Sequence, residues 1–98
     1  MAANIHIEAI KNVVLASLEN EDVSIALFGS MASGLTRQSS DVDVAIVPRN
    51  KLDQGKLALL REKLENLNVP SKVEVVDFSI VSQRFRDEAL KTVVWWRH

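Results

Sequence analysis

Asp41 and Asp43 alternate with valine at the start of the run Val42-Asp43-Val44-Ala45-Ile46-Val47, which Pro48 closes. A short run this rich in β-branched residues reads as a strand. The two-residue period puts Val42, Val44 and Ile46 on one face and both aspartates on the other. Acidic residues are depleted in strands, so a carboxylate pair set among valine and isoleucine needs a reason. The apolar face must go to a core, while the other face has to accommodate two neighbouring negative charges.

Periodicity in the rest of the chain supplies the partners of this strand. From Asn4 to about Asn20, Ile7, Ile10, Val14 and Leu18 recur at helical spacing, with Asn4 placed to cap the first turn. Val23–Phe28 reads as a strand stopped by Gly29, followed by a small-residue turn with room for one short helix. Leu57, Leu60, Leu64 and Leu67 form the stripe of a second helix, capped by Asp53 and ended by Asn68 and Pro70. Lys72–Phe78 then reads as a third strand, Ser82 to about Lys91 as a short helix and Val93–Trp96 as a fourth strand. With 98 residues and 47% hydrophobic composition, the expectation is one domain over 1–98. Its class is α/β (α+β), a mixed sheet of about four strands flanked by helices.

Twelve Lys and Arg against thirteen Asp and Glu leave a formal charge of −1. A dedicated nucleic-acid binder is normally basic, so direct nucleic-acid binding is not expected. The absence of cysteine excludes a disulfide framework, a thiolate metal site and a cysteine nucleophile. No basic segment opens the chain and no apolar run approaches the roughly 20 residues of a membrane span, so a soluble cytoplasmic protein is expected.

The chemistry concentrates in three pieces. Gly29 stops a strand where the backbone must turn, and Ser30 opens the next turn; backbone N–H groups there, with the Ser30 hydroxyl, suit a phosphate. Asp41 and Asp43 repel each other unless a cation or a shared proton intervenes, and their hard oxygens suit Mg²⁺ or Mn²⁺. Glu74 shares a strand face with Val76, which makes it the candidate third carboxylate, whereas Asp77 falls at the strand end and serves the turn. An anion pocket beside three carboxylates suits phosphoryl transfer from a nucleoside triphosphate held through divalent metal.

Leu27-Phe-Gly-Ser-Met-Ala-Ser-Gly34, Ser39-Ser-Asp-Val-Asp-Val44 and Val73-Glu-Val-Val-Asp-Phe78 together resemble the minimal nucleotidyltransferases of the DNA polymerase β-like superfamily. The resemblance covers most of the chain. It implies the minimal nucleotidyltransferase fold and transfer of a nucleoside monophosphate, AMP from ATP, to an acceptor hydroxyl. It further implies an antitoxin whose partner is a helical HEPN-domain toxin, adenylylated on a tyrosine. Gly29, Ser30, Gly34 and Ser40 would bind the nucleotide. Asp41, Asp43 and Glu74 would bind Mg²⁺ and carry catalysis. Two places depart from the pattern: Met31-Ala32-Ser33 stands where basic residues are common, and Glu74 where Asp is more usual. Glu74 is longer by one carbon–carbon bond of roughly 1.5 Å.

Other residues have plainer readings. His6 and His98 lie near the termini and are expected to be exposed. Trp95 and Trp96 are adjacent, so a strand would turn them to opposite faces; either one is exposed and marks a partner interface, or they simply pack on the first helix. Arg84, Arg86, Lys91 and Arg97 could form a basic rim or a solvated face. Two other functions compete with the enzyme reading. One is a catalytically weak module that neutralises its partner by contact; the other is a small-molecule nucleotidyltransferase of the aminoglycoside type.

Overall fold

The computed structural model describes residues 2–29 and 41–98, with side chains from residue 6 onward. Ser30, Gly34, Ser40 and the small-residue turn with room for one short helix lie outside the described residues. The elements run α1 (Ala2–Ser17), β1 (Val23–Phe28), β2 (Val42–Pro48), α2 (Gln54–Glu65), β3 (Val73–Asp77), α3 (Gln83–Ala89) and β4 (Val94–Arg97). The strands form one mixed sheet in the order β3-β2-β1-β4. β1 is antiparallel to both β2 and β4, while β2 and β3 are parallel, as the intervening helix α2 allows.

Alternation along the strands divides the interior in two. Val23, Ile25, Leu27, Val42, Val44, Ile46 and Val75 face α1 and α2, meeting Ile10, Val14 and Leu18 of the first helix and Leu57, Leu60 and Leu64 of the second. On the opposite face Ala26, Phe28, Ala45 and Phe78 form a smaller core, closed by Val76, Val81, Ala89 and Leu90. All six residues of β1 are buried, because this inner strand is covered on both faces.

Helix ends follow the side-chain chemistry. The Asp53 carboxylate accepts from the backbone N–H groups of Gly55 and Lys56 at the start of α2, and the Ser82 hydroxyl accepts from the N–H of Phe85 at the start of α3. α2 stops at Glu65 with Asn66 as its C-cap, so Leu67 packs on the core from beyond the helix. The expected cap at Asn4 is not made there: α1 already runs from Ala2, since Ala2 and Ala3 are strong helix formers and extend it by a half-turn. α1 also ends at Ser17, before Asn20. Arg97 donates to the carbonyls of Leu18 (2.7 Å) and Glu21 (2.5 Å), so it closes that helix end and belongs to no basic rim.

The register between β1 and β4 slips between Ile25 and Ala26, which pair with Arg97 and Trp95. Trp96 is therefore the extra residue of a β-bulge and packs on the larger core, while Trp95 is 38% exposed and meets the His98 ring edge-on. His98 is exposed as expected; His6 is half-buried on α1, against expectation, since it lies one helical turn before the buried Ile10. Among the described residues no helix is long and apolar enough to cross a membrane.

Candidate active site

The parallel register sets Asp43 of β2 directly against Glu74 of β3, and the antiparallel register sets Asp43 against Phe28 of β1. Both carboxylates lie on the sheet face of the smaller core, at the end where that core stops. Asp41 precedes β2 by one residue and is exposed. Its spacing from Asp43 is the strand repeat, which keeps the two on the same side.

Gly29 follows Phe28 with φ +77°, the left-handed region that favours glycine. A Cβ at this position would fall inside 3.0 Å of Asp43 Oδ2. The turn and the carboxylate are thus packed against one another without an intervening side chain. Burial pushes the Asp43 carboxyl above its ordinary range, and the negative charges of Asp41 and then Glu74 push it the same way. This end of the sheet concentrates negative charge that the protein only partly relieves.

The partial relief comes from Lys72. Its Nζ lies 3.1 Å from Glu74 Oε1, and both side chains are largely exposed. The hydrogen bond to Glu74, the Glu74 charge and the Asp41 charge all raise the Lys72 ammonium above its usual value. The Lys72 carbonyl accepts from the Val42 N–H (2.8 Å), which ties it to the start of β2.

Residues 8–95 match the polymerase beta nucleotidyltransferase family. The chain belongs to that family. Among curated proteins it is similar to the probable protein adenylyltransferase MntA of Haemophilus influenzae, with 30% identity over 73 residues, 74% of this chain. The chain spans 64% of the length of that relative. A crystal structure of a toxin–antitoxin with AMP-PNP superposes with a TM-score of 0.68 at 25% identity, covering 88% of this chain and 71% of the other. A candidate minimal nucleotidyltransferase of solved structure superposes with a TM-score of 0.71 at 24% identity, covering 91% of each chain. The sheet order and flanking helices are those of the minimal nucleotidyltransferase fold.

Within this nucleotidyltransferase frame, Asp41, Asp43 and Glu74 come to one end of the sheet beside Gly29. Among the described residues no three His, Asp or Glu side chains close on one point as a ready-made metal cage. Glu74 is turned to Lys72 instead. The donor set is all carboxylate oxygen, with no sulfur or imidazole, which fits a hard divalent cation such as Mg²⁺ or Mn²⁺.

Asp77 stands apart. It is buried, accepts from the Ser79 N–H (2.9 Å), the Ser79 hydroxyl (2.6 Å) and Gln54 Nε2 (3.2 Å), and serves the turn after β3 as expected. Burial raises its carboxyl, but the Ser79 and Gln54 hydrogen bonds and the Arg61 charge outweigh this and leave it below its ordinary value. Sequence reasoning missed Lys72, although its separation of two from Glu74, just before β3, was a usable signal.

Proposed function

We propose that this chain is a Mg²⁺-dependent adenylyltransferase of the antitoxin type, which transfers AMP from ATP to a tyrosine hydroxyl of a partner HEPN toxin in the cytoplasm. The observation that carries this reading is the Asp43–Glu74 register pair, with Asp41 beside it and Gly29 packed directly on Asp43. Family membership, the adenylyltransferase name of the H. influenzae relative and AMP-PNP in the matching toxin–antitoxin structure support it. Residues 1–98 are read as one nucleotidyltransferase domain.

Gly29, Ser30, Gly34 and Ser40 hold the triphosphate through backbone N–H groups and hydroxyls. Asp41, Asp43 and Glu74 hold the divalent metal, which when bound neutralises the phosphate charge that an acidic site would otherwise repel. Glu74 also takes the proton of the attacking hydroxyl. The acceptor oxygen bonds to the α-phosphorus in line with the bridging oxygen, that bond breaks, and pyrophosphate leaves. Incubation with Mg²⁺, α-labelled ATP and the cognate partner should label the partner, and labelling that persists in an Asp41→Asn/Asp43→Asn variant contradicts the assignment.

A second reading is neutralisation by contact alone. The Lys72–Glu74 ion pair favours it, because it engages one of the three carboxylates within the protein itself. Toxin neutralisation that survives loss of both aspartates would select it.

A further inference from the structure

Where the smaller core ends beside Gly29, the surface opens into a shallow groove of about 340 Å³ lined by Phe28, Gly29, Phe85, Ala89 and Thr92, with Glu88 at its rim. This is near the lower end of the roughly 300–1,000 Å³ of small-molecule sites, enough for one planar ring system. Phe85 projects from α3 among Arg84, Arg86, Asp87 and Glu88, yet it is 44% exposed. Its ring meets Phe28 edge-on at 6.2 Å and Phe78 at 5.8 Å, so it is fixed in place while remaining open to solvent. A fixed, exposed aromatic ring at the mouth of an apolar groove is a stacking platform.

We propose that this groove seats the base of the nucleotide, an inference that rests on the nucleotidyltransferase reading above. Gly29 carries the argument because it is a wall of both sites: it lines the groove and lies against Asp43 Oδ2. A ligand with a flat ring at one end and phosphates at the other spans the two, and a nucleoside triphosphate has that form. The groove offers little hydrogen-bond readout. The Glu88 carboxylate is held by Lys91 at 2.5 Å, and Thr92 is the other residue of the lining with a polar side chain. Recognition is therefore by stacking, and purines bind better than pyrimidines because their ring surface is larger.

Titration calorimetry on the full chain with Mg²⁺, comparing AMP-PNP with inorganic tripolyphosphate, tests this. The wild-type chain should bind AMP-PNP more tightly than tripolyphosphate. Phe85→Ala should weaken AMP-PNP by about fivefold or more, the lower end of what base–aromatic stacking supports, and leave tripolyphosphate unchanged. Thr92→Trp, which fills the groove from its exposed rim, should do the same and decides the matter alone if Phe85→Ala fails to fold. Equal wild-type affinity for the two ligands, or parallel loss of both in the variants, overturns the base site and leaves the phosphate site standing. Wild-type binding of neither ligand overturns the nucleotidyltransferase reading, and the base site falls with it.

Discussion

Gly29 and Asp43 are packed so closely that a Cβ at position 29 would fall inside 3.0 Å of Asp43 Oδ2 and force that carboxylate to turn aside. The same residue has φ +77°. Backbone turn and carboxylate are thus a single structural unit, and substitution of either is felt by the other.

Gly29→Ala is expected to lower stability by about 1–3 kcal/mol, from the left-handed backbone and the clash together. Adding Asp43→Ala removes the clash and leaves the backbone strain, so the double variant should be less destabilised than the two single changes sum to. Urea unfolding of the four proteins measures this coupling. Strict additivity would contradict the contact.

The Asp43 carboxyl titrates higher in the folded chain than in the unfolded one. Its contribution to stability is therefore fully present below the unfolded value, near pH 4, and is lost as pH rises through the raised folded value. Without divalent metal, Asp43→Asn should accordingly be more stable than wild type at neutral pH, and the difference should vanish in acid. Mg²⁺ should raise the unfolding midpoint of wild type and leave that of Asp43→Asn nearly unchanged. AMP transfer should fall by at least about 100-fold, since even groups that only orient a metal ligand contribute about 10- to 100-fold.

Lys72 and divalent metal compete for the same carboxylate. Lys72→Met frees Glu74 and removes a positive charge from the cluster, so Mn²⁺ followed by electron paramagnetic resonance should bind more tightly. An exposed pair is screened by solvent, which limits the gain to about fivefold and confines it to low salt. Weaker Mn²⁺ binding would instead mean that Lys72 holds Glu74 in its metal-binding position.

The bulge in β4 gives the two tryptophans separate duties. Trp96→Ala should destabilise by about 2–3 kcal/mol, somewhat less than a fully buried aromatic, because Trp96 is only half-buried against the core. Trp95→Ala should cost less, about 1 kcal/mol, because Trp95 is 38% exposed and its main ring contact is with the exposed His98. Chemical denaturation separates the two.

The period-two pattern of Val42–Val47 and the leucine stripe of α2 were enough to anticipate a mixed sheet and its covering helices, because each obeys a local rule. Asp53 and Ser82 were likewise readable as helix starts. The lapses came where a distant partner decides the outcome. Arg97 looks like a surface charge until Leu18 and Glu21, far away in sequence, present their carbonyls to it. Which tryptophan turns inward depends on a register slip between β1 and β4 that no local pattern encodes. At the site, alternation put Glu74 on one strand face with Val76, but the parallel register that sets it opposite Asp43 is a property of the sheet. Lys72 went unnoticed because a lysine at the start of a strand has no meaning until its neighbours are in place.

The most direct measurement is the intact mass of the proposed HEPN-type partner after co-expression with this chain, set against co-expression with the Asp41→Asn/Asp43→Asn variant. Nucleotidyl transfer by the clustered carboxylates predicts a partner heavier by one or more AMP units with the wild-type chain and unmodified with the variant. An unmodified partner that is nevertheless neutralised, or AMP added equally by both proteins, would contradict it.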